Sequence, residues 1–291
     1  MNKLAENITN TFGAKGKQWI ADLPDIIDKL TTHWQLTHLN PVDNMSFHFV
    51  AKATLNNNQA VVLKISCDEK SIKDEMLALQ YFNGTTSVKL IDYHEKYHAL
   101  LLHQAIPGIT LKSFYPEKLE YVIECYVNTM QKLHEKHLPS RHPFRHISDW
   151  LKSIDKVTSK LIPAHLLEKA IATKNKLLAT SSKQVLLHGD LHHDNLLQDG
   201  NTWVTIDPKG IVGEPEFEIA AFDFMYINEL ANNPDTKQIF AKRIKMLAHQ
   251  ANLDANRIKA WVFVRLILMA AWCIEDNHDP KWVIKLAEAI I

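Results

Sequence analysis

The spacing of apolar residues changes at Pro107-Gly108, and this change constrains the possible folds more than any other feature of the sequence. Up to that point, segments with helical spacing alternate with short β-branched runs. Beyond it, long helical patterns dominate. The chain is therefore predicted to have an α+β fold, with a small mixed N-terminal lobe over residues 1–105 and a mostly helical C-terminal lobe over residues 106–291.

The same patterns predict the individual elements. In the first lobe they predict helices over 17–38 and 68–82, and strands over 47–51, 60–65, 88–91 and 99–102. The polar turn Asn56-Asn57-Asn58 is typical of a hairpin. In the second lobe they predict helices over 116–137, 145–160, 163–180, 214–231, 235–250, 254–274 and 280–291, interrupted by one β-rich island over 185–211.

Composition and charge exclude several classes of protein. Lysine plus arginine number 33, as do aspartate plus glutamate, so no excess of positive charge suggests nucleic-acid binding. The three cysteines lie far apart and form no CxxC pair, which argues against a disulfide framework and fits a reducing cytoplasm. The most apolar stretch, 260–274, contains Arg265 and is too short to cross a bilayer, and the first residues lack the apolar core of a secretory signal. We expect a cytoplasmic protein without membrane or nucleic-acid partners; its oligomeric state is not indicated.

The β-rich island carries the residues with the clearest chemistry. An apolar run over 185–187 leads into HGDLHHDN (188–195), and a second run, WVTI, ends at Asp207. Phosphoryl transfer needs a carboxylate to orient the attacking hydroxyl and hard oxygen ligands for Mg²⁺ beside the phosphates. In this pattern Asp190 supplies the first, and Asn195 and Asp207 supply the metal ligands.

HGDLHHDN followed by IDPKG closely resembles the motifs of the aminoglycoside phosphotransferases. The HGDLHH form, with GEPEFE after it, is most similar to the streptomycin kinase and hydroxyurea phosphotransferase branch. The resemblance covers nearly the whole chain, including the N-terminal helix and the AAWCIED segment near the C-terminus. It implies a bilobal protein kinase-like fold, ATP and Mg²⁺ as cofactors, and phosphorylation of a hydroxyl on a small molecule, in particular an aminoglycoside such as streptomycin.

The resemblance also implies roles for single residues. Asp190 is expected to be the catalytic base, and Asn195 and Asp207 to bind Mg²⁺. Lys64, which ends the run AVVLK, is expected to contact the α- and β-phosphates while Glu75 holds it by an ion pair. Further nucleotide contacts are expected from Ser46 and from the segment that carries Leu102, His103 and Ala105. An acceptor pocket is expected at Glu214, Trp272 and Glu275.

Two departures from the protein kinase pattern matter. No GxGxxG loop precedes Lys64, and Pro208 follows Asp207 where protein kinases have Phe-Gly. The second departure argues against a protein kinase. Another small acceptor, such as a sugar, amino alcohol or amino acid, remains an alternative, as does a catalytically silent nucleotide-binding module.

Several of these residues also have structural interpretations. Taken alone, Lys64 reads as a solvated strand end, and Glu218 as a negative charge favoured at a helix N-terminus. His188 is expected to be structural, bonding backbone near the loop. His192-His193 lack the further ligands that a zinc site requires.

Overall fold

The computed structural model describes residues 2–158, 160–224 and 233–291, which form two compact units. The first unit comprises the residues up to Gly108 together with 198–206. The second comprises the described residues of 109–197 and 207–291. The assignment of nucleotide binding to the first lobe and acceptor binding to the second stays a prediction.

The first unit is built on an antiparallel sheet of five strands in the order β1-β2-β3-β5-β4. Strands β2 and β3 pair from His48–Ser66 to Thr54–Ala60, so the predicted hairpin is confirmed, with Asn58 in the left-handed region of its turn. Its elements are α1 (Asn2–His33), β1 (Thr37–Pro41), β2 (His48–Thr54), β3 (Ala60–Ser66), α2 (Glu69–Phe82), β4 (Leu90–His94) and β5 (Ala99–His103).

Helix α1 differs from its predicted bounds at both ends. It begins at Asn2 and bends at Gly13, whose φ of 57° is not helical. It ends at His33 rather than at residue 38, because Gln35 adopts a left-handed φ of 52° and Thr37 already pairs with Thr54 as a strand. The predicted helix extended to residue 38, but residues 37 and 38 belong to strand β1.

Helix α2 carries clear signals at both ends. The Asp68 side chain accepts hydrogen bonds from the backbone N–H groups of Lys70 and Ser71, and the helix ends at Asn83 in the left-handed conformation. Its buried face includes Ile72, Glu75, Ala78, Leu79 and Phe82. The predicted range of 68–82 is therefore confirmed to within one residue.

Residues 198–206, which the sequence places in the second lobe, belong to the first unit. The backbone N–H of Val88 donates to the Thr205 carbonyl at 2.9 Å, and the Thr205 N–H donates to the Thr86 carbonyl at 2.8 Å. Val88 therefore pairs with Thr205 and is not part of the strand that was predicted over 88–91. That strand, β4, begins at Leu90. Long-range backbone pairing of this kind is not encoded in local periodicity.

The second unit is mostly helical, as predicted. A small sheet in the order β7-β11-β8 lies within it, and a further sheet has the order β10-β9-β6. The remaining elements are β6 (Pro107–Thr110), α3 (Leu119–His134), β7 (Arg145–His146), α4 (Ile147–Lys156), α5 (Ala164–Ala179), β8 (Val185–Leu187), β9 (Leu196–Asp199), β10 (Thr202–Thr205), β11 (Ile211–Gly213), α6 (Pro215–Ile219), α7 (Thr236–Ala251), α8 (Ala255–Glu275) and α9 (Lys281–Ile290).

Helix α8 is the central helix of this unit and packs against α4, α5, α6, α7 and α9. It is buried around most of its circumference, which confirms the interpretation of the apolar stretch as a core helix. In the part of the chain that the structure describes, no helix combines the length and the apolar character needed to cross a membrane.

The prediction of one long helix over 214–231 is wrong where it can be compared. Helix α6 ends at Ile219 after five residues. The chain then makes tight turns, in which the N–H of Ala220 donates to the Phe217 carbonyl and the N–H of Phe222 donates to the Ile219 carbonyl. Residues 225–231 of that prediction lie outside the described residues. The apolar run that suggested a helix instead supplies Phe222 and Phe224 to the core.

Candidate functional site

The loop that follows β8 begins the site. Gly189 has a φ of 85°, and a Cβ atom there would lie 3.0 Å from the Trp150 side chain and 3.1 Å from that of Ile211. Only glycine satisfies both the backbone and the space. His188 is fully buried and its Nδ1 accepts from the Asp190 N–H at 3.3 Å, so its predicted structural role is confirmed.

The carboxylate of Glu218 holds this loop in place through its backbone. Its two carboxylate oxygens accept the backbone N–H groups of His188 at 2.6 Å and Gly189 at 2.9 Å, and His134 Nε2 lies 3.3 Å from Oε2. Burial alone raises the pKa of Glu218, but the His134 hydrogen bond and the neighbouring positive and amide groups outweigh it and hold the pKa below its ordinary value. Glu218 lies in the first turn of α6, as predicted, and its carboxylate also positions the loop by accepting these two backbone N–H groups.

Arg265 reaches the same loop from α8. Its two terminal nitrogens donate to the Gly189 carbonyl at 3.1 and 3.2 Å, and Nη2 lies 3.4 Å from Asp190 Oδ1. The arginine is only 6% exposed, and its guanidinium lies over the Phe217 ring. Sequence reasoning missed this role, although a lone arginine in a long apolar run was a usable signal, because a buried charge requires partners.

Asp190 and Asn195 are brought together, as predicted. Asn195 Nδ2 donates to the Asp190 backbone carbonyl at 2.9 Å, which leaves the amide oxygen as the end of that side chain able to accept or to bind a cation. Asp207 has a left-handed φ of 60°, and two residues later the Lys209 N–H donates to the His188 carbonyl at 2.7 Å. The IDPKG segment is thus tied to the HGD loop.

Asp190 opens into a cavity of about 560 Å³ within the second unit. Its side chain is 37% exposed, so its carboxylate is accessible to a ligand. Its lining combines charged and polar residues with apolar residues that come mainly from three helices. Its lining consists of Lys112, Asp190, His192, Asp194, Ala220, Ala221, Phe222, Asp223, Phe224, Phe240, Val262, Arg265, Leu266, Met269, Trp282 and Leu286.

Asp223 is a cavity residue that sequence reasoning missed, because it lay within the helix predicted over 214–231. His193 Nδ1 lies 3.2 Å from its Oδ2. Burial lowers the pKa of His193, so this imidazole is neutral near pH 7 and donates to the carboxylate. Burial raises the pKa of Asp223, but the His193 hydrogen bond and the nearby His193, His192 and Lys112 together outweigh it, and the net pKa lies below the ordinary value. Asp223 therefore carries its charge at neutral pH.

His192 lies among the carboxylates of this cavity. Its ring nitrogens are 3.9 Å from Asp190, 4.0 Å from Asp194 and 3.9 Å from Asp223. Asp190 and Asp194 lie two residues from His192 in the sequence, and the fold adds Asp223. The potential ligand atoms of His192, Asp194 and Asp223 lie within 4.8 Å of one another, so His192 does have neighbours able to bind a metal. Lys112 Nζ binds Asp194 at 2.6 Å.

In the first unit, Lys64 and Glu75 form the predicted ion pair at 2.7 Å. Both residues are buried, at 2% and 4% exposure. Reading Lys64 as a solvated strand end was therefore wrong. Glu69, on the same helix, is exposed and binds Lys73.

The other predicted nucleotide contacts also lie in the first unit. Leu102 and Ala105 are buried, and His103 Nε2 lies 3.0 Å from Asp199 Oδ2. Ser46 lies in the loop between β1 and β2, where its carbonyl accepts from Asn7 Nδ2 at 3.0 Å. Their roles in nucleotide binding stay predictions.

The structure does not bring the three predicted acceptor residues to the cavity at Asp190. Glu214 is buried and accepts from Arg257 Nε at 2.6 Å and from the Trp261 indole N–H, so its carboxylate is used to join α6 to α8. Trp272 packs edge-on against Trp150, and Glu275 is exposed at the end of α8. None of the three lines the cavity.

Comparison with known proteins gives a consistent result. A model of the family described as aminoglycoside/hydroxyurea antibiotic resistance kinase matches residues 33–277. Streptomycin 6-kinase of Streptomyces glaucescens is 25% identical over 299 residues, covering 99% of this chain and 95% of the relative. Hydroxyurea phosphotransferase of Kitasatospora aureofaciens is 23% identical over 287 residues, covering 96% of this chain and 82% of the relative.

The fold is also similar to solved structures. A thermostable mutant of the aminoglycoside phosphotransferase APH(4)-Ia, in a ternary complex with AMP-PNP and hygromycin B, superimposes with a TM-score of 0.70 at 14% identity. The match covers 92% of this chain and 97% of that one. At this identity the likeness shows the fold alone, which is the predicted protein kinase-like fold.

Proposed function

Because the chain belongs to the aminoglycoside/hydroxyurea antibiotic resistance kinase family, we propose that it transfers the γ-phosphoryl group of ATP to a hydroxyl of a small molecule bound at Asp190. The observation that carries this proposal is the setting of Asp190. Its loop is held by Glu218 and Arg265, and its carboxylate opens into a cavity large enough for a small organic acceptor.

In the proposed reaction the acceptor hydroxyl oxygen attacks the γ-phosphorus of ATP. A new O–P bond forms, the bond from the γ-phosphorus to the bridging oxygen breaks, and ADP leaves with that electron pair. The hydroxyl proton passes to the Asp190 carboxylate. Arg265, at 3.4 Å from Oδ1, holds this carboxylate in one orientation, which lowers the cost of aligning acceptor and base.

Asn195 and Asp207 are the proposed ligands of Mg²⁺. Both offer hard oxygen atoms of the kind that Mg²⁺ prefers, and the hydrogen bond from Asn195 Nδ2 to Asp190 leaves the amide oxygen for the metal. When bound, the ion neutralises charge that develops on the phosphates. We assign Lys64 to the α- and β-phosphates, with Glu75 keeping its ammonium group in place.

The acceptor named by the relatives is one option for this chain. Streptomycin is the acceptor in the name of the relative that is 25% identical, and hydroxyurea in that of another. Since these two molecules differ widely in size and charge, the family itself accommodates different acceptors. Streptomycin therefore stands as the first acceptor to test, and an amino alcohol as the second.

Substitution of the proposed base tests the function. Asp190→Asn should lower kcat by about 10²–10⁴-fold, because the amide cannot take the proton. Asp149→Asn is a matched control, since its side chain has similar exposure, at 39% against 37%, and lies on α4. Transfer is measured with γ-labelled ATP against streptomycin and amino alcohols.

Two results would count against the proposal. Near-full turnover in Asp190→Asn would remove Asp190 from the reaction. Binding of ATP-Mg²⁺ by the wild-type protein, without transfer to any alcohol, would instead favour a silent nucleotide-binding module.

A further inference from the structure

The lining of the cavity at Asp190 comprises a set of charged side chains, its charged side, and a set of apolar side chains, its apolar side. Arg265 of the charged set lies on the same face of α8 as Leu266 and Met269. The charged side carries three carboxylates, those of Asp190, Asp194 and Asp223, together with the cations Lys112 and Arg265. Among the lining residues that the structure describes, these three carboxylates and two cations leave a single negative charge. An acceptor with several positive charges would therefore find few unmatched carboxylates here.

The existing ion pairs make this argument stronger. Lys112 binds Asp194 at 2.6 Å, and Arg265 lies 3.4 Å from Asp190. Among the described residues Asp223 has only histidine partners within 4 Å. Asp223 is thus the one carboxylate of the cavity without a lysine or arginine partner in that part of the chain, and it carries its charge at neutral pH.

The apolar side is formed by three helices. Val262, Leu266 and Met269 follow at helical spacing on α8, so they lie on one face of that helix. Trp282 and Leu286 are four residues apart on α9 and face the same cavity. Phe240 of α7 completes this side and stacks on Phe224 with ring centroids 5.1 Å apart.

This apolar side favours one class of acceptor over another. Apolar surface removed from water contributes about 25 cal/mol per Å², whereas hydroxyl or charged groups placed against it lose water without gaining a partner. Trp282 keeps 39% of its surface exposed, which leaves area for a ligand to cover. A polyhydroxylated polycation would satisfy the charged side but not this one.

We propose that the acceptor is an amphipathic alcohol with an aromatic or branched aliphatic body and at most one positive charge. The body lies against Met269, Leu266 and Trp282, the hydroxyl lies at Asp190, and the positive charge lies near Asp223. This assignment rests on the proposed function for the transfer step, but not for ligand binding.

A matched pair of alcohols tests the apolar contact. Phenylalaninol and alaninol share a primary hydroxyl and one ammonium group and differ by a phenyl group. Calorimetric titration of the full-length protein should give at least about tenfold tighter binding for phenylalaninol, the factor expected for a phenyl ring in an apolar pocket. Streptomycin should bind more weakly than phenylalaninol.

Two variants locate the contact. Trp282→Ala should reduce the preference for phenylalaninol over alaninol about tenfold, and Met269→Gln, which nearly conserves volume, should reduce it in the same direction. Tyr121→Ala is the matched control, because Tyr121 has a similar exposure of 41% and does not line the cavity. It should leave the preference unchanged.

The results separate this inference from the proposed function. Asp190→Asn should abolish transfer while keeping the phenylalaninol preference in binding. Preferred binding of phenylalaninol without transfer to any alcohol would overturn the function and keep the ligand class. Failure of phenylalaninol to bind more tightly than alaninol would overturn the ligand class, as would transfer to streptomycin with an equal or higher kcat/KM.

Discussion

The carboxylate of Glu218 and the guanidinium of Arg265 hold the same short loop through its backbone. Glu218 accepts the N–H groups of His188 and Gly189, and Arg265 donates to the Gly189 carbonyl. Both side chains are almost completely buried. Because neither side chain needs a partner from solvent, the Asp190 backbone is fixed before any ligand arrives.

Replacing Glu218 by glutamine should therefore weaken the fold. The amide keeps one acceptor oxygen but turns an NH₂ group toward a backbone donor, so one buried N–H loses its partner, at a cost of about 1–3 kcal/mol in the free energy of unfolding. Urea denaturation measures the loss. Glu216→Gln is the control, since Glu216 lies on the same helix but is only partly buried, and the N–H groups of His188 and Gly189 bond Glu218 instead. An equal loss there would contradict the argument.

The same carboxylate predicts an acid dependence of stability. The pKa of Glu218 is lower in the folded protein than its ordinary value of 4.5, so the unfolded chain takes up the proton first as the pH falls. Its stabilising effect is fully present above pH 4.5 and is lost as the pH falls through the folded pKa. Denaturation from pH 7 to pH 3 should show a shallower decline in Glu218→Gln than in the wild type, and parallel curves would contradict this.

Helix α2 shows how an element places a single residue. Its N-terminal cap at Asp68 and its left-handed end at Asn83 fix its register, and this register turns Glu75 inward toward Lys64 on β3. Glu69, six residues earlier on the same helix, faces solvent and Lys73. The difference between a buried ion pair and a surface pair therefore depends on helix phase.

Removing one partner of the buried ion pair tests whether its position on the inward face of α2 matters for stability. Glu75→Ala leaves the Lys64 ammonium buried without its carboxylate, so the free energy of unfolding should fall by about 3–5 kcal/mol. Glu69→Ala, on the exposed side of the same helix, should change stability little. Thermal and urea denaturation of both variants measure the contrast, and similar effects for both would show that the pair contributes no specific stability.

At the scale of the whole molecule, the two units contribute different parts of the proposed chemistry. Lys64 and Glu75 belong to the first unit, and Asp190, Asn195 and Asp207 belong to the second. The chain leaves the first unit at Gly108 and returns to it for 198–206, between the Asn195 and Asp207 positions. The two predicted metal ligands therefore lie on either side of the segment 198–206. In this segment Thr205 makes backbone hydrogen bonds with Thr86 and Val88.

Nucleotide binding by the complete protein should depend on both predicted metal ligands. We expect ATP with Mg²⁺ to raise Tm, because a ligand that binds only the folded state stabilises it by mass action. The shift should be lost with excess chelator and in Asn195→Ala or Asp207→Ala, and kept in Asp149→Asn. An undiminished shift without divalent metal would contradict the assignment of these residues.

The sequence by itself predicted many of the elements and the residues proposed to carry the chemistry. Helical spacing marked α8, and the hairpin at Asn58 followed from its turn. HGDLHHDN predicted that Asp190 and Asn195 lie together, and with IDPKG its resemblance to a known family implied the fold. These features depend on residues close in the chain, where spacing alone fixes which side chains meet.

Only the tertiary structure decided which distant side chains share a site. Arg265 follows Asp190 by 75 residues and Glu218 follows Gly189 by 29, and no periodicity links such pairs. Tertiary packing also ended α6 at Ile219, so that Asp223 lines the cavity rather than continuing a helix. It also paired Glu214 with Arg257, away from the cavity lining. The physical reason is burial: a charged group placed in the core is stable only where the fold supplies its partner.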